Sequence, residues 1–511
     1  FLMLLLTSML SSAFIIQPAE GESTTLIVPG DYPTIQGAVN SASPGDTVIV
    51  RAGTYTENVK VNKDHLTIES ESGRDLTIVQ AANQSENVFT VTSDYVTING
   101  FTIQRASHYI GAGIRINNVE HCNISNNILS YNVIGIYVFH SSSNILANNV
   151  VTLSHNGIQL QAASSNTVIG NIVNLNWDYG FLLLSSPNTT LTTNVVSDNK
   201  WNFLVSGALL SDFINNIDTS NTVNGKPIQY LISQEGLTID PNWNIGYLAI
   251  VNCTNITVRD LTLTNNAHGV LLAYSNNSRI ENVQVSDNAC GITLSSSCNN
   301  ILVGNVASRN WVGFRFLGNS SNNVLAENTA KDGANGIWIR QHSSNNTITG
   351  NTLANNTLDK HGRSYGIYLL DEAHHNTIYL NNIANNSINA GCAMGNPVHD
   401  NSWHSPLQLT YEYHGKTYTN FLGNYWSDYT DVDLYSGPYQ NEAGSDGIWD
   451  HPYVIDADNQ DRYPLVNPWT PPPESPWPMF QHDSQRTGTS PYVGPQTADL
   501  KWVYEFEQGM P

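Results

Sequence analysis

Charged residues, and basic residues above all, are scarce in this chain of 511 residues. Only 12% of its residues are charged, and 20 Lys and Arg stand against 42 Asp and Glu, which gives a formal net charge of −22. Proteins that follow nucleic-acid phosphates need clustered Lys and Arg, and so do polybasic membrane anchors. The composition therefore argues against nucleic acid and against an anionic membrane surface as partners.

Long apolar runs are also missing, except at the start of the chain. An apolar core over Phe1–Ile16 is followed by small and polar residues. This pattern is typical of a secretory signal peptide, which we place at residues 1–22, with a short membrane anchor as the alternative. No later segment has the ~20 apolar residues needed to span a bilayer. We expect a secreted or cell-surface protein, which would be periplasmic in a Gram-negative host.

A glycine followed by a large apolar residue recurs about every 22 residues. Successive glycines are separated by 22, 22 and 23 residues in a first series and by 23, 22, 22, 23 and 30 in a second. The glycines are Gly113, Gly135, Gly157 and Gly180, then Gly246, Gly269, Gly291, Gly313, Gly336 and Gly366. Within each repeat, apolar and other residues alternate with the period of a strand. The pattern predicts an all-β solenoid, a parallel β-helix over residues 23–400 with an insertion near 211–245.

Asparagine recurs at fixed distances after these glycines. It lies nine residues later at Asn144, Asn166, Asn300, Asn322 and Asn345, and fourteen later at Asn149, Asn171, Asn194 and Asn305. Asn tolerates left-handed turns and can hydrogen-bond to its copy in the next coil. We therefore expect asparagine ladders along the solenoid.

Five cysteines are present, but none forms a CxxC pair. Cys253 and Cys298 each lie seven residues after a repeated glycine, which predicts one ladder position two coils apart. That separation is roughly 9.6 Å if strands are ~4.8 Å apart. Because a disulfide needs much closer Cα atoms, we expect free thiols.

Both ends of a solenoid need covering, because an open coil exposes unpaired strand edges. Pro33–Ala42 has the pattern of a short amphipathic helix that could cap the first coil. Residues 401–470 lose the repeat and are rich in aromatic residues, which predicts an irregular C-terminal cap. A proline run at the start of residues 471–511 indicates a linker.

Several segments resemble known families. Tyr32–Tyr55, Val223–Gly236 and Asn424–Tyr429 resemble NosD-like proteins, within the carbohydrate-binding and sugar-hydrolase (pectin-lyase-like) group of right-handed parallel β-helices. The resemblance implies a right-handed solenoid and, for some members, copper handling, whereas many relatives are cell-surface proteins. Trp477–Gly488 resembles the opening of a PQQ-like β-propeller, which implies a longer multidomain surface protein.

The outward positions of the main strands hold no Asp or Glu, which disfavours a glycoside hydrolase because such enzymes use two carboxylates. Instead, cationic and aromatic residues fall on consecutive coils, with a carboxylate at the strand exit. The candidate substrate-binding residues are Arg315, Trp338, Arg340, Tyr368 and Asp371. Arg and aromatic groups on a rigid face suit acidic sugars. A solvated surface is the plainer interpretation.

Two metals are candidates as cofactors. Imidazole is a copper ligand, and His374 and His375 lie within a His-rich region, which makes them the copper candidates. Calcium prefers carboxylate oxygens in turn-rich sequence, and a run of acidic residues without Lys or Arg lies in the cap. The calcium candidates are Asp431, Asp433, Asp446, Asp456 and Asp458.

Together these patterns predict an extracytoplasmic β-helix that binds a polysaccharide or a cell-surface glycan. A uronate lyase or epimerase is the enzymatic alternative, because such chemistry needs a cation for the sugar carboxylate and a base. A NosD-like copper-handling protein is the third possibility.

Overall fold

The computed structural model describes residues 23–358, 363–392 and 398–471. The predicted signal peptide at 1–22 and the predicted propeller segment, Trp477–Gly488, lie outside these residues. Within them the chain is almost entirely β-structure, wound into parallel coils that confirm the predicted β-helix. A single α-helix, Ile35–Ser41, lies inside the predicted Pro33–Ala42 segment and buries Ile35, Ala38 and Val39 against the first coil. No helix among the described residues is long and apolar enough to cross a membrane.

The coils form two solenoids. The first has three parallel sheets that pack around one apolar core. Its first sheet contains Thr25–Val28, Thr47–Val50, Thr67–Ser70, Thr97–Asn99, Asn123–Ser125, Ile145–Ala147, Thr167–Ile169, Thr190–Thr192 and Asn216–Ile217. Its second contains Gly53–Thr56, Thr77–Gln80, Thr102–Gln104, Ile128–Ser130, Val150–Thr152, Ile172–Asn174, Val195–Ser197 and Thr222–Val223. Its third contains Val59–Val61, Phe89–Val91, Ala112–Asn117, Ile134–Phe139, Asn156–Gln161, Tyr179–Leu184 and Trp201–Ser206.

The second solenoid has its own core and three further parallel sets of strands. The main set contains Lys226–Ile232, Tyr247–Val251, His268–Ala273, Cys290–Ser295, Val312–Leu317, Asn335–Ile339, Tyr365–Leu369 and Ile388–Cys392. The next contains Thr238–Ile239, Thr257–Arg259, Arg279–Glu281, Ile301–Val303, Val324–Ala326, Thr347–Thr349 and Thr377–Tyr379. The last contains Thr262–Thr264, Gln284–Ser286, Val306–Ser308, Thr329–Lys331, Thr352–Ala354, Asn382–Ala384 and Tyr425–Trp426.

A hairpin joins the two solenoids within the predicted insertion at 211–245. Thr222–Val223 pairs antiparallel with Lys226–Pro227 across the Asn224-Gly225 turn, so the strand direction reverses and one sixteen-stranded sheet runs through both solenoids. We call it the shared sheet. Two short 3₁₀ helices, Leu210–Phe213 and Pro241–Trp243, flank this region. The sequence pattern predicts one continuous solenoid, whereas the structure has two blocks of opposite strand direction.

The first strands after the hairpin are buried on both faces. In Tyr247–Val251, Tyr247 and Ala249 join the core of the first solenoid, whereas Leu248 and Ile250 join the core of the second. The second solenoid therefore covers the open end of the first. This position explains why the strand reads as an unbroken apolar run, which is typical of strands buried on both sides.

Asparagine ladders run through both solenoids. One set of hydrogen-bonded asparagines forms the ladders Asn127–Asn149–Asn171–Asn194–Asn221 and Asn305–Asn328–Asn351–Asn381–Asn424. The fourteen-residue spacing holds for the predicted Asn149, Asn171, Asn194 and Asn305, whereas Asn328, Asn351 and Asn381 lie fifteen residues after their glycines. Of the asparagines predicted nine residues after the glycine, Asn322 and Asn345 are misplaced by one residue. Their neighbours Asn323 and Asn346 form the ladder instead. Asn322 and Asn345 instead take the left-handed turn beside it, with φ of 58° and 56°.

All five cysteines are free thiols, as expected for Cys253 and Cys298. The shared ladder position predicted for these two is wrong, however. Because Leu248 pairs with Val270, the register of this coil is shifted by one residue relative to its glycine. The backbone N–H of Cys253 therefore donates a hydrogen bond to Oγ of Ser275 in the next coil, and the backbone N–H of Ser275 donates to Oγ of Ser297. Cys298 lies one residue past this ladder position.

An irregular C-terminal cap closes the second solenoid, as predicted for 401–470. It contains the paired strands Leu409–Tyr413 with Lys416–Asn420, Tyr435–Ser436 with Glu442–Ala443, and Tyr453–Val454 with Gln460–Asp461. The fully buried Asp461 connects cap and solenoid, because its carboxylate accepts hydrogen bonds from Trp426 Nε1 (2.9 Å), from the backbone N–H of Asn424 (2.7 Å) and from that of Tyr463 (3.0 Å).

Candidate functional site

The main strands of the second solenoid place one outward residue of each coil in a straight row. Thr293 pairs with Arg315, Arg315 with Trp338, and Trp338 with Tyr368. Neighbouring members are about one strand spacing, ~4.8 Å, apart. The alternating residues Phe314, Phe316, Ile337 and Ile339 point inward and are buried in the core. We call this outward surface the Arg315 face.

Arg315 rests on a buried histidine. Its terminal nitrogen Nη2 lies 3.0 Å from Nε2 of His268, a residue that is 2% exposed. Burial and the neighbouring guanidinium lower the pKa of His268 well below its ordinary value, so the imidazole is neutral. Since a guanidinium can only donate, Nε2 accepts and Nδ1 carries the proton. None of the carboxylates that the structure describes forms an ion pair with Arg315.

Aromatic rings continue the row beyond Arg315. The rings of Trp338 and Tyr368 meet edge to face at 6.2 Å, and Tyr365 stacks on Tyr368 at 4.0 Å with an angle of 2°. Burial, with a further contribution from Tyr365, raises the pKa of Tyr368, while Arg363 lowers it.

Arg340 and Asp371 form an ion pair at 3.1 Å, with both side chains about one third exposed. Next to it, His342 Nδ1 lies 2.8 Å from a carboxylate oxygen of Glu372. The structure thus brings Asp371 to the predicted face but pairs it with Arg340. Asp371 can orient the guanidinium, whereas Arg315 keeps an uncompensated charge.

Several polar atoms on the Arg315 face are buried without a hydrogen-bond partner in the described part of the chain. They are His268 Nδ1, Thr293 Oγ1, Arg315 Nε, Trp338 Nε1 and Arg340 Nε. Buried polar groups in native proteins are nearly always paired, so each such group requires an explanation. Five of them on one surface indicate a site whose hydrogen-bonding capacity exceeds what the protein itself uses.

Residues that precede the glycine of each coil also contribute to this region, although they were not among the sequence-based candidates. His268 pairs with Cys290, and Cys290 with Val312, on the outward side of the bend at the glycine. Tyr179 of the first solenoid lies within electrostatic range of this region. Burial raises its pKa to about 12, Asp178 and Cys290 add to the rise, and Arg315 opposes it. The available signal was the residue type just before each repeated glycine.

The copper candidates lie together but without a third ligand. The rings of His374 and His375 are 4.9 Å apart, and His374 Nδ1 lies 2.6 Å from the carbonyl oxygen of Glu372. The ring of His399 is 6.2 Å from that of His374. Across the described ranges, no three or more His, Cys, Asp or Glu are grouped as metal ligands. Copper binding at His374 and His375 stays a prediction.

The calcium candidates are divided among three places in the cap. Asp433 accepts hydrogen bonds from the backbone N–H groups of Asp446 and Gly447, each at 3.0 Å, so Asp433 and Asp446 are neighbours. Burial, and to a lesser degree Asp433, raises the pKa of Asp446. Asp431 instead pairs with His451. Asp456, for its part, accepts from the backbone of Asp458. Calcium binding also stays a prediction.

The sequence model of a family described as "Periplasmic copper-binding protein (NosD)" matches residues 34–231 and 213–431, which is most of the chain. The chain belongs to the NosD family. A "Cell surface glycoprotein" of Methanothermus fervidus is 34% identical to this NosD-family chain over 100 residues, which are 19% of this chain and 16% of that protein's length.

Solved structures of parallel β-helices are similar to this NosD-family chain at low sequence identity. A pectate lyase is 15% identical with a TM-score of 0.34, and the match covers 54% of this chain and 78% of the lyase. The A-module of an Azotobacter vinelandii mannuronan C-5 epimerase is also 15% identical with a TM-score of 0.33, over 72% of this chain and 93% of that module.

Proposed function

We propose that this NosD-family chain is an extracytoplasmic binding module and that its Arg315 face holds a strand of acidic polysaccharide. The family is described as periplasmic, and a relative is named a cell-surface glycoprotein, which supports a location outside the cytoplasm. The single observation that carries the proposal is the row of Arg315, Trp338 and Tyr368 on three consecutive coils.

Each member of the row suits a different part of an acidic sugar. Arg315 has no carboxylate partner among the described residues and is supported from below by neutral His268, so its charge is available to a sugar carboxylate. A guanidinium can bind a carboxylate through two parallel hydrogen bonds. Trp338 and Tyr368 present aromatic surface with a polar group at the edge, which suits a ligand that is apolar on one face and hydroxylated at its rim.

Binding is favoured over lyase or epimerase chemistry because the tyrosine and histidine side chains that the structure describes beside Arg315 are poor general bases, and Asp371 is paired with Arg340. A general base works best with a pKa near the working pH. Burial raises the pKa values of Tyr179 and Tyr368, and His268 is buried with Nε2 already accepting from Arg315. None of these groups is prepared to remove a proton from a bound uronate at neutral pH.

The test uses the full chain in gels that contain polygalacturonate, alginate or neutral dextran. We expect retardation in at least one acidic polymer and a loss of at least tenfold in affinity for Arg315→Ala. Arg115→Ala is the matched control, because Arg115 also lies two residues after a repeated glycine but stacks over Tyr137 at 5.1 Å in the first solenoid. Equal losses in both variants, or no retardation of the wild-type chain in any acidic polymer, would contradict the proposal.

A further inference from the structure

A groove runs along the first solenoid, far in sequence from the Arg315 face. It has a volume of about 440 Å³, and its lining includes Gln84, Gln104, Arg105, Tyr131, His155 and Trp177. Tyr131 and Trp177 are 50% and 57% exposed, so two large rings lie open to solvent on this surface. No Asp or Glu lines the groove.

Side chains from successive coils line this groove. Gln104 pairs with Ser130, so Arg105 and Tyr131 follow at equivalent turn positions of neighbouring coils. The next two coils supply His155 and Trp177, whose rings meet edge to face at 5.3 Å. Three strand spacings of ~4.8 Å separate the first coil from the fourth, so the lining extends roughly 14 Å along the solenoid axis. Such a row matches a linear polymer that lies parallel to the axis.

The turn that carries Arg105 and Tyr131 does not require large side chains. Both residues have positive φ, at 72° and 56°, as do Leu153 and Leu175 in the next coils. At the same turn of the second solenoid the chain has mostly Asn or Asp, namely Asn265, Asp287, Arg309, Asp332, Asn355 and Asn385. Asn and Asp adopt this conformation most readily, whereas bulky residues rarely do. Arg105 and Tyr131 are thus unfavourable for the turn itself, which indicates another reason for their presence. Trp177 lies two residues after Leu175, outside this positive-φ position.

The lining favours an uncharged ligand. Arg105 is exposed, and an ion pair at an exposed site contributes little free energy. Recognition would rest instead on the flat faces of Trp177 and Tyr131 and on the paired donors and acceptors of the Gln84 and Gln104 amides. Ring faces that alternate with hydroxyl groups are the complement of this surface, which is the chemistry of a chain of neutral hexose rings.

We infer that this groove is a second carbohydrate-binding site, which takes a linear neutral oligosaccharide along the solenoid axis. It shares no residue with the Arg315 face and does not depend on the function proposed for that face. In the full chain, Trp177 would stack on one sugar ring and Tyr131 on a ring about two coils away.

The experiment is calorimetric titration of the full chain with neutral hexasaccharides built from glucose, mannose or galactose. We expect at least one to bind, with a loss of tenfold or more in Trp177→Ala and a clear loss in Tyr131→Ala. Trp311→Ala is the matched control, because Trp311 is 46% exposed on the second solenoid, and its affinity should equal that of the wild-type chain.

Two results would overturn the inference: no hexasaccharide binds the wild-type chain, or Trp177→Ala and Trp311→Ala bind equally well. Because the altered rings are exposed, melting temperatures should stay close to that of the wild-type chain, and Tyr131→Ala gives an independent reading of the same groove. Arg315→Ala should leave hexasaccharide binding intact. Failure of the Arg315 proposal and failure of this one are therefore distinguishable.

Discussion

Asn171 Oδ1 accepts two hydrogen bonds from Asn149, one from the backbone N–H and one from Nδ2, each at 3.0 Å. Its own Nδ2 donates to the carbonyl oxygen of Leu146 at 2.9 Å and to Oδ1 of Asn194 at 3.0 Å. One fully buried side chain thus satisfies backbone and side-chain groups in three consecutive coils. The asparagine repeat has a structural cause, and it accounts for much of the unusual composition.

We predict that Asn171→Ala lowers the free energy of unfolding by about 2–4 kcal/mol, because it leaves two buried donors of Asn149 unpaired. Asn174→Ala is the control, since Asn174 lies on a strand three residues away and is only partly buried. Its effect should stay within about 0.5 kcal/mol. Urea denaturation of both variants measures the difference, and equal effects would show that the ladder contributes little.

The unpaired hydroxyl of Thr293 predicts a gain in stability on substitution, in contrast to the loss predicted for Asn171. Thr293 is 1% exposed and its Oγ1 has no hydrogen-bond partner among the described residues. The thiol of Cys290 lies nearby: burial raises the pKa of this thiol, and Arg315 and Thr293 lower it. A thiol is only a weak hydrogen-bond acceptor. Thr293→Val should therefore stabilise the ligand-free chain, by about 1 kcal/mol.

Thr189→Val is its matched control. Thr189 is equally buried, but its hydroxyl donates to the carbonyl oxygen of Ser186 at 3.0 Å. This variant should lose stability by about 1 kcal/mol. The melting temperatures of both variants, compared with that of the wild-type chain, test this prediction. A Thr293→Val variant that melts below the wild-type chain would show that the hydroxyl of Thr293 already has a hydrogen-bond partner.

The buried carboxyl of Asp461 predicts that the stability of the cap depends on pH. Burial raises the pKa of its carboxyl to about 6, despite the hydrogen bonds from Trp426, Asn424 and Tyr463 that favour the charged form. The folded state therefore binds a proton more tightly than the unfolded state does. The corresponding stability is fully present below pH ~4 and is lost as the pH rises through about 6.

The loss amounts to at most about 3 kcal/mol, since one pKa unit corresponds to ~1.4 kcal/mol. The measurement is urea denaturation followed by tryptophan fluorescence at pH 4.5 and pH 7.5, for the wild-type chain and for Asp461→Asn. The variant should show a smaller decrease between the two pH values, whatever its absolute stability. An identical decrease in both chains would assign the pH dependence to other groups.

The calcium prediction concerns Asp433 and Asp446, which the fold brings together. Calcium binding there would relieve the repulsion that contributes to the raised pKa of Asp446. The expected result is one Ca²⁺ per chain and a higher melting temperature, both abolished by Asp433→Asn. The variant Asp458→Asn, in a separate turn, is the control. A melting temperature that does not respond to Ca²⁺ or to a chelator would contradict the calcium prediction.

The copper prediction is tested by titrating the chain with Cu⁺ and Cu²⁺. Stoichiometric binding that is lost in the double variant His374→Ala, His375→Ala would support copper handling at this place. His155→Ala, altered at an exposed histidine of the first solenoid, is the control. Binding that survives in the double variant would move copper elsewhere in the chain.

The sequence predicted the parts of the fold that repeat in every coil. Gly spacing and strand alternation located the coils, and they placed Arg315, Trp338 and Tyr368 in one row. This worked because stacked strands keep identical positions aligned over many coils. A single residue of slip at Gly246 was enough to misplace Cys253.

Features that occur only once in the chain could not be predicted from the repeat. Asn224-Gly225 is a typical hairpin pair, but Asn-Gly also occurs at Asn99-Gly100, Asn156-Gly157 and Asn335-Gly336 without a reversal, so the pair alone does not identify the change of strand direction. The support of Arg315 by His268 depends on a bend that turns the residue before the glycine outward. The groove at Trp177 includes Arg105 and Tyr131, bulky residues at a turn where Asn would fit better, and this departure is visible only after the coils are aligned in space.

The central claim is that Arg315 recognises a sugar carboxylate. The most direct measurement compares the affinities of the wild-type chain and of Arg315→Ala for oligogalacturonate and for its methyl ester, which has the same backbone without the charge. The account predicts that the wild-type chain binds the acid at least tenfold more tightly than the ester, and that Arg315→Ala binds the two nearly equally. An acid-to-ester ratio that is unchanged by Arg315→Ala would contradict it.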